Sequence, residues 1–268
     1  MSDQQALLAV AVEAATMAGS LLAERVAAGG EREVSSKSTP TDLVSEADTA
    51  SERAIRELLA AHRPDDGILG EEGGSKGGTS GLEWVVDPLD GTVNFLFGIP
   101  QWCVSVAVRD SGGTLAGAVL DPGRGELFTA TRDGPARVRT ARGESELALE
   151  ATATPGTDGD LASAMVATGL AYDSAVREAQ AAVLAGVIPR VRDIRRFGSA
   201  ALDLCWTASG RYDAYFERTV KPWDIAAGAL VCERAGLTVR ELPERPGLPR
   251  GILACRPALA DALIPLVG

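Results

Sequence analysis

The segment Trp84-Val-Val-Asp87-Pro-Leu-Asp90-Gly91-Thr92 narrows the possible folds most, because an apolar strand, Trp84–Val86, runs directly into two carboxylates. Pro88 fixes the backbone between them and keeps the turn tight, so both acids can face one point. Gly91 lets a ligand approach the main chain. Gly91-Thr92-Val93 then opens a short helix whose free N–H groups suit an anion such as phosphate. Paired carboxylates beside backbone donors suit Mg²⁺, a hard cation that takes oxygen ligands and bridges to phosphate oxygens. The same residue types also make an ordinary turn between strands. Taken alone, the segment leaves those two readings balanced.

Other features narrow the chemistry by exclusion. The single histidine, His62, removes Ser-His-Asp triads, histidine-phosphatase chemistry and multi-histidine metal sites from consideration. It lies near the end of a predicted helix, where it suits the helix dipole. Carboxylates must therefore carry any catalysis. The net charge of −11 argues against nucleic acid as a partner. An anionic substrate remains compatible, because bound divalent cations invert the sign of an acidic site. Cys103, Cys205, Cys232 and Cys255 are widely spaced in apolar surroundings, matching buried thiols rather than a zinc site or disulfide framework. The N-terminus lacks the basic region of a signal peptide, and no apolar run is read as long enough to span a bilayer. A cytoplasmic, soluble protein without a membrane partner is the expectation.

At 268 residues, 46% of them apolar, the chain can bury a large core as one body built from two packed halves. Apolar spacing predicts a helix from Leu7 to Gly29-Gly30 and a second from Ser45 to His62, ended by Pro64. A short strand at Ile68-Leu69 leads to Gly70-Glu71-Glu72, followed by a Gly/Ser-rich loop over 73–81. Strands at Trp102–Arg109, Thr114–Leu120 and Glu126–Ala130, separated by Ser111-Gly-Gly and Asp121-Pro-Gly, read with Trp84–Val86 as an antiparallel sheet. Beyond the polar stretch Ala151–Asp160, strand and helix alternate. Met165–Thr168, Tyr212–Phe216 and Gly251–Ala254 are the strands. Ser174–Val187, Ser199–Ala208 (capped by Ser199), Asp224–Ala235 and Pro257–Leu266 are the helices. An α+β half over 1–150 and an α/β half over 151–268 follow.

Two further acids join the reading. Glu71 ends the short strand, a position equally suited to a solvated loop. Asp224, after Trp223, opens a helix and is a good first-turn acid. These pieces, together with Lys37-Ser-Thr-Pro-Thr-Asp42-Leu-Val-Ser45-Glu-Ala-Asp48, Asn94-Phe95, Arg196-Phe-Gly198-Ser199-Ala200-Ala201 and Asp213-Ala-Tyr215-Phe-Glu217, fall in one order along nearly the whole chain. In that order they resemble the inositol monophosphatase family of lithium-sensitive, Mg²⁺-dependent phosphatases.

The resemblance implies a layered αβαβα sandwich and hydrolysis of myo-inositol monophosphate. It implies that Glu71, Asp87, the Leu89 carbonyl, Asp90 and Asp224 coordinate two or three Mg²⁺ ions, and that the Gly91 and Thr92 amides hold the phosphate. Asp48 and the Thr92 hydroxyl would orient the attacking water, with Glu71 also counted in the catalytic set. Ser45-x-x-Asp48 equally fits a capping box. Asp42 suits the turn entering that helix, and Lys37 suits either the metal–phosphate cluster or an exposed loop. Substrate hydroxyls would meet Glu217, Gly198, Ser199, Ala200, Asp90 and Asp224. Gly73 departs from a family pattern that commonly has Ser or Thr after Gly-Glu-Glu, a difference expected to affect loop mobility.

Histidinol phosphate is the nearest alternative substrate. Bisphosphates would favour extra basic residues, and the cluster Arg190, Arg192, Arg195 and Arg196 reads first as a solvated face or subunit contact. A regulatory protein that keeps the scaffold is the competing class, and a homodimer is the family's usual assembly.

Overall fold

The protein is described here by a computed structural model covering residues 3–28, 34–36, 43–149 and 159–268. Lys37, Asp42 and most of the polar stretch after Ala151 lie outside the described residues. Two sheets and six of the helices stack as five layers. Helices Asp3–Ala28 and Glu46–His62 cover one face of an eight-stranded sheet, and helices Ala200–Ala208 and Pro222–Arg234 fill the space between that sheet and a five-stranded one. Helices Ser174–Val187 and Ala260–Val267 cover the far face of the second sheet.

The layering follows from period-two alternation along the strands. In Glu83–Asp90, Trp84 and Val86 point to the outer helices and Val85 to the inner pair. In Ala214–Arg218, Tyr215 points to the inner pair while Ala214 and Phe216 point away. The first sheet is antiparallel except where Gly67–Gly70 runs parallel to Glu83–Asp90. The second is mixed: Met165–Thr168 pairs in parallel with both neighbours, and Gly251–Cys255 pairs antiparallel with both of its own. Close approach between layers depends on missing side chains. A Cβ at Gly117 would collide with Ala227, and one at Gly228 with Leu204, so the inner helices seat directly on the sheet and on each other.

Several expectations are corrected. The 73–81 segment contains a short edge strand, Gly74–Lys76, paired with Gly67–Gly70, and Thr79 and Ser80 donate to the Asp65 carbonyl. Backbone pairing that small side chains leave unobstructed replaces the expected open loop. Short strands at Ala136–Thr140, Gly143–Leu147, Asp193–Arg195 and Thr238–Leu242 escaped the sequence reading, because polar residues interrupt their apolar pattern. The helix Asp3–Ala28 is long and apolar enough, by length and composition, to cross a membrane, contrary to expectation. In this fold, its Leu7, Ala11, Ala14, Ala15, Ala18 and Leu22 are buried in the outer core. All four cysteines are buried and free.

Candidate active site

The predicted tight turn after Val86 is a bulged continuation of the strand through Asp90. Asp87 lies opposite Ser105 and Asp90 opposite Cys103, so three residue steps on one strand match two on its neighbour. Residues three apart on a regular strand point to opposite faces. The extra residue, next to the donor-less Pro88, puts both carboxylates on the same inner face. Ser51 Oγ donates to the Pro88 carbonyl at 3.0 Å and Leu89 N donates to Asp87 Oδ1 at 3.0 Å, which fixes the bulge from both sides. Gly91 follows at φ 96°, a conformation that favours glycine, and leads into the helix Thr92–Leu96.

The inner helices complete the wall. Ser199 Oγ and Ala201 N each donate to Asp90 Oδ2 at 2.7 Å. Ser199 precedes helix Ala200–Ala208, but its side chain does not cap it; the expected cap is replaced by this bond to Asp90. Asp224 accepts the Lys221 N–H at 2.6 Å from within helix Pro222–Arg234. Its capping role and its place in the cleft therefore coexist. Thr92 Oγ1 donates to buried Asp48 at 2.8 Å and lies 3.1 Å from the Leu89 carbonyl.

Glu71, Asp87, Leu89, Asp90, Gly91, Thr92, Gly198, Ala200, Glu217 and Asp224 all line one cleft of about 560 Å³. Asp48 and Ser199 stand behind it, each bonded to a lining residue. Burial pushes the Asp87 carboxyl well up, with Glu71, Asp90 and Asp224 adding repulsion. Burial also raises Asp90, to about 6, against the bonds from Ser199, Ala201 and Ala200. Asp224 is raised by burial and then by Asp90. At the other end of the cleft, burial lifts Glu217 to about 7, opposed by the Tyr215 hydroxyl (2.7 Å) and the charge of Arg196.

Sequence reasoning missed three supports. Glu52, almost fully buried, accepts the Glu72 and Gly73 N–H groups at 2.7 and 2.8 Å and pairs with Arg56 at 2.6 Å. A side chain at Gly73 would strike Glu52 and Arg56. This glycine therefore admits the clamp that holds Glu71's loop, which replaces the expected effect on mobility. Asn94 donates to the carbonyls of Gln101 and Phe197, both at 2.7 Å, and ties the 197–198 loop to the metal-side segment. Gly169 leaves the space that the Glu217 carboxylate occupies. Glu52 sits on the helix's inner stripe among apolar residues, a pattern that could have marked it.

Among the described residues the acids do not close into a ready-made cage of three or more metal-ligating groups. Their chemistry nevertheless fits a hard divalent cation: an oxygen-only set whose strongest charge interactions at Asp87 are with other carboxylates. A sandwich carrying such acids at a strand bulge between layers suits a metal-dependent phosphatase. The chain belongs to the inositol monophosphatase family, whose model matches residues 3–267, and that family is metal-dependent, generally on Mg²⁺. It is 43% identical to an inositol-1-monophosphatase of Mycobacterium leprae, across 98% of this chain and 94% of the relative. It is 42% identical to a Nus factor SuhB of Pasteurella multocida, across 86% and 83%. The solved structure of Mycobacterium tuberculosis SuhB superposes with a TM-score of 0.82 at 39% identity, covering 99% of this chain and 97% of that one.

Proposed function

We propose that this protein hydrolyses myo-inositol monophosphate to inositol and inorganic phosphate, with two or three Mg²⁺ ions per site. The observation that carries this reading is the convergence of Glu71, Asp87, Asp90 and Asp224 on one cleft with Gly91 and Thr92. Those four acids and the Leu89 carbonyl are the proposed metal ligands. Cations held there would supply positive charge that makes a water more acidic and offsets the charge of the phosphate oxygens. Thr92 Oγ1, held by its bond to Asp48, orients the water, and Asp48 supports that orientation from behind. Gly91 and Thr92 N–H groups, at a helix start with no intrahelical acceptor, bind phosphate oxygens. Bonds from Ser199 and Ala201 keep Asp90 turned toward the cleft. Glu217 and the 198–200 main chain receive the substrate hydroxyls at the far end.

The test is phosphate release with Mg²⁺ from inositol 1-phosphate, histidinol phosphate and 3′-phosphoadenosine 5′-phosphate. Preference for inositol 1-phosphate is expected. Preference for histidinol phosphate would replace the substrate and leave the chemistry standing. A purely regulatory role is disfavoured by the complete acid set, and Mg²⁺-dependent turnover separates the two. The homodimer is proposed on a separate observation. Phe97, Ile99 and Phe197 are exposed, and Phe197 lies against the Trp206 and Tyr212 rings, with Arg124 and Arg211 over Trp206. Light scattering should return twice the chain mass, and Phe97→Asp should return it to one.

A further inference from the structure

A second cavity, of about 780 Å³, runs along helix Pro222–Arg234, between the hairpin at Gly112-Gly113 and the edge of the second sheet. Its volume falls in the range of small-molecule sites. Ile225, Ala226, Ala229 and Leu230 form its floor, at a spacing that puts them on one face of the helix. The rim is basic: Arg109, Arg132, Lys221, Arg234 and Arg250 line the groove with Glu233 and Glu241, in a chain whose net charge is −11. Three of these cations are already paired, Arg109 with Glu83, Arg132 with Asp110 and Arg250 with Glu241. Arg234 donates to the Gly134 carbonyl. Among the described residues the Lys221 ammonium has no ion pair, and it stands at the positive end of the helix.

The segment Thr219–Lys221 is the partition between this groove and the catalytic cleft, since Val220 and Lys221 line both. On the groove side, Thr219 N donates to the Arg250 carbonyl at 2.9 Å. On the cleft side, Lys221 N donates to Asp224 at 2.6 Å. Thr219 has φ 71°, the left-handed region, where no other non-glycine among the described residues lies. A β-branched residue is strained there and persists only where its surroundings fix it. The partition is thus held from both faces, and a ligand on one face acts on groups that hold the other.

We propose that this groove is an effector site for a small amphipathic anion, a short alkyl chain ending in a carboxylate or a tetrahedral oxyanion. The chain lies on the floor from Ile225 to Leu230, which spans about 8 Å at helical rise, and the head group pairs with Lys221. Pairing neutralises the cation at the start of the helix that carries Asp224. Mg²⁺ then meets a more negative cleft and binds more tightly. This coupling rests on the phosphatase reading above; occupancy of the groove does not.

Titration calorimetry without Mg²⁺ tests the site with octanoate and octane-1-sulfonate, and with octyltrimethylammonium as the cationic control. It compares the natural protein with Lys221→Gln and Ala229→Glu, and circular-dichroism melting follows folding. Should Ala229→Glu not fold, the exposed Lys221 decides the outcome. Both anions should bind the natural protein, and the cation should not. Lys221→Gln should weaken anion binding about tenfold, the scale of one lost charge-assisted hydrogen bond. Ala229→Glu should weaken it by like-charge repulsion. Binding of octanoate alone assigns the head group as carboxylate, and binding of the sulfonate alone assigns it as a tetrahedral oxyanion. With inositol 1-phosphate as substrate, the bound anion should lower the half-maximal Mg²⁺ concentration about fivefold, the low end of usual couplings. Ala229→Glu should lose that response and keep its activity at saturating Mg²⁺. The site is overturned if neither anion binds, if the cation binds equally, or if all three proteins bind the anions alike. Binding with an unchanged Mg²⁺ midpoint would overturn its role as an effector site. Folded protein that binds the anion yet releases no phosphate at any Mg²⁺ concentration would instead defeat the phosphatase reading and leave the groove standing.

Discussion

The two ends of the cleft are built on opposite electrostatic plans. At one end, Asp87 and Asp90 share a bulged strand with Asp224 across from them, and the strongest charge interactions at Asp87 and Asp224 are carboxylate repulsions. At the other, Glu217 is opposed by Arg196 and held by the Tyr215 hydroxyl. The first end is incomplete without added positive charge. The second is close to balanced and offers both signs to a ligand. Turnover should therefore depend on the first end and discrimination between alcohols on the second.

The largest expected effect breaks the comparison at its acidic end. Asp90→Asn keeps size and an oxygen that can accept from Ser199 and Ala201, but removes the charge. Phosphate release should fall by more than about 100-fold, beyond what loss of an outer-shell partner costs, while the far-ultraviolet spectrum stays native. Activity within tenfold of the natural protein would refute the metal role. Next comes thermal stability. Mg²⁺ at about 100 times its Kd contributes about 2.7 kcal/mol to a protein that binds it only when folded, which raises Tm by about 5 °C or more. Asp87→Asn should blunt that rise in calorimetry. Arg196→Ser, at the balanced end, should leave it intact.

A smaller effect reaches the acid end through its support. Ser199→Ala removes one of two donors that orient Asp90 Oδ2. The Mg²⁺ concentration for half-maximal activity should rise about tenfold, with little change in maximal rate once metal saturates. A lower maximal rate at unchanged metal dependence would show that Ser199 acts on the substrate instead.

The same contrast explains what was legible in the sequence. Asp87, Asp90, Gly91 and Thr92 are contiguous, so the chemistry of one short segment can be read without knowing the fold. Even there, the spacing concealed the mechanism: the acids share a face through a bulge, and register against Ser105 and Cys103 is a tertiary fact. Helices with clear 3.6-residue spacing, such as Ser174–Val187, matched the expected bounds. The alcohol end comes from residues 169, 196–200 and 215–217, brought together by sheet order and by Asn94. Nothing local marks Arg196 as different from Arg195. Only the path of the loop over Gly198 turns one into the cleft and leaves the other paired with Asp193.

Glu217 supplies the finest test, because its titration separates a balanced end from an acidic one. Its carboxyl is raised from 4.5 to about 7, chiefly by burial. The folded protein thus holds this proton more tightly than the unfolded chain does. The resulting stabilisation is fully present below pH 4.5 and is lost as pH rises through about 7. Glu217→Gln mimics the protonated form and cannot lose that contribution. Measured without Mg²⁺, the Tm of Glu217→Gln relative to the natural protein should therefore increase between pH 4.5 and pH 7, by about 2–4 °C if 1 kcal/mol is involved. At pH 8 the same variant should raise KM for inositol 1-phosphate, since the amide replaces an acceptor of its hydroxyls. A Tm difference independent of pH would mean that Arg196 and Tyr215 already compensate the charge fully, and the balanced end would then be neutralised before any substrate arrives.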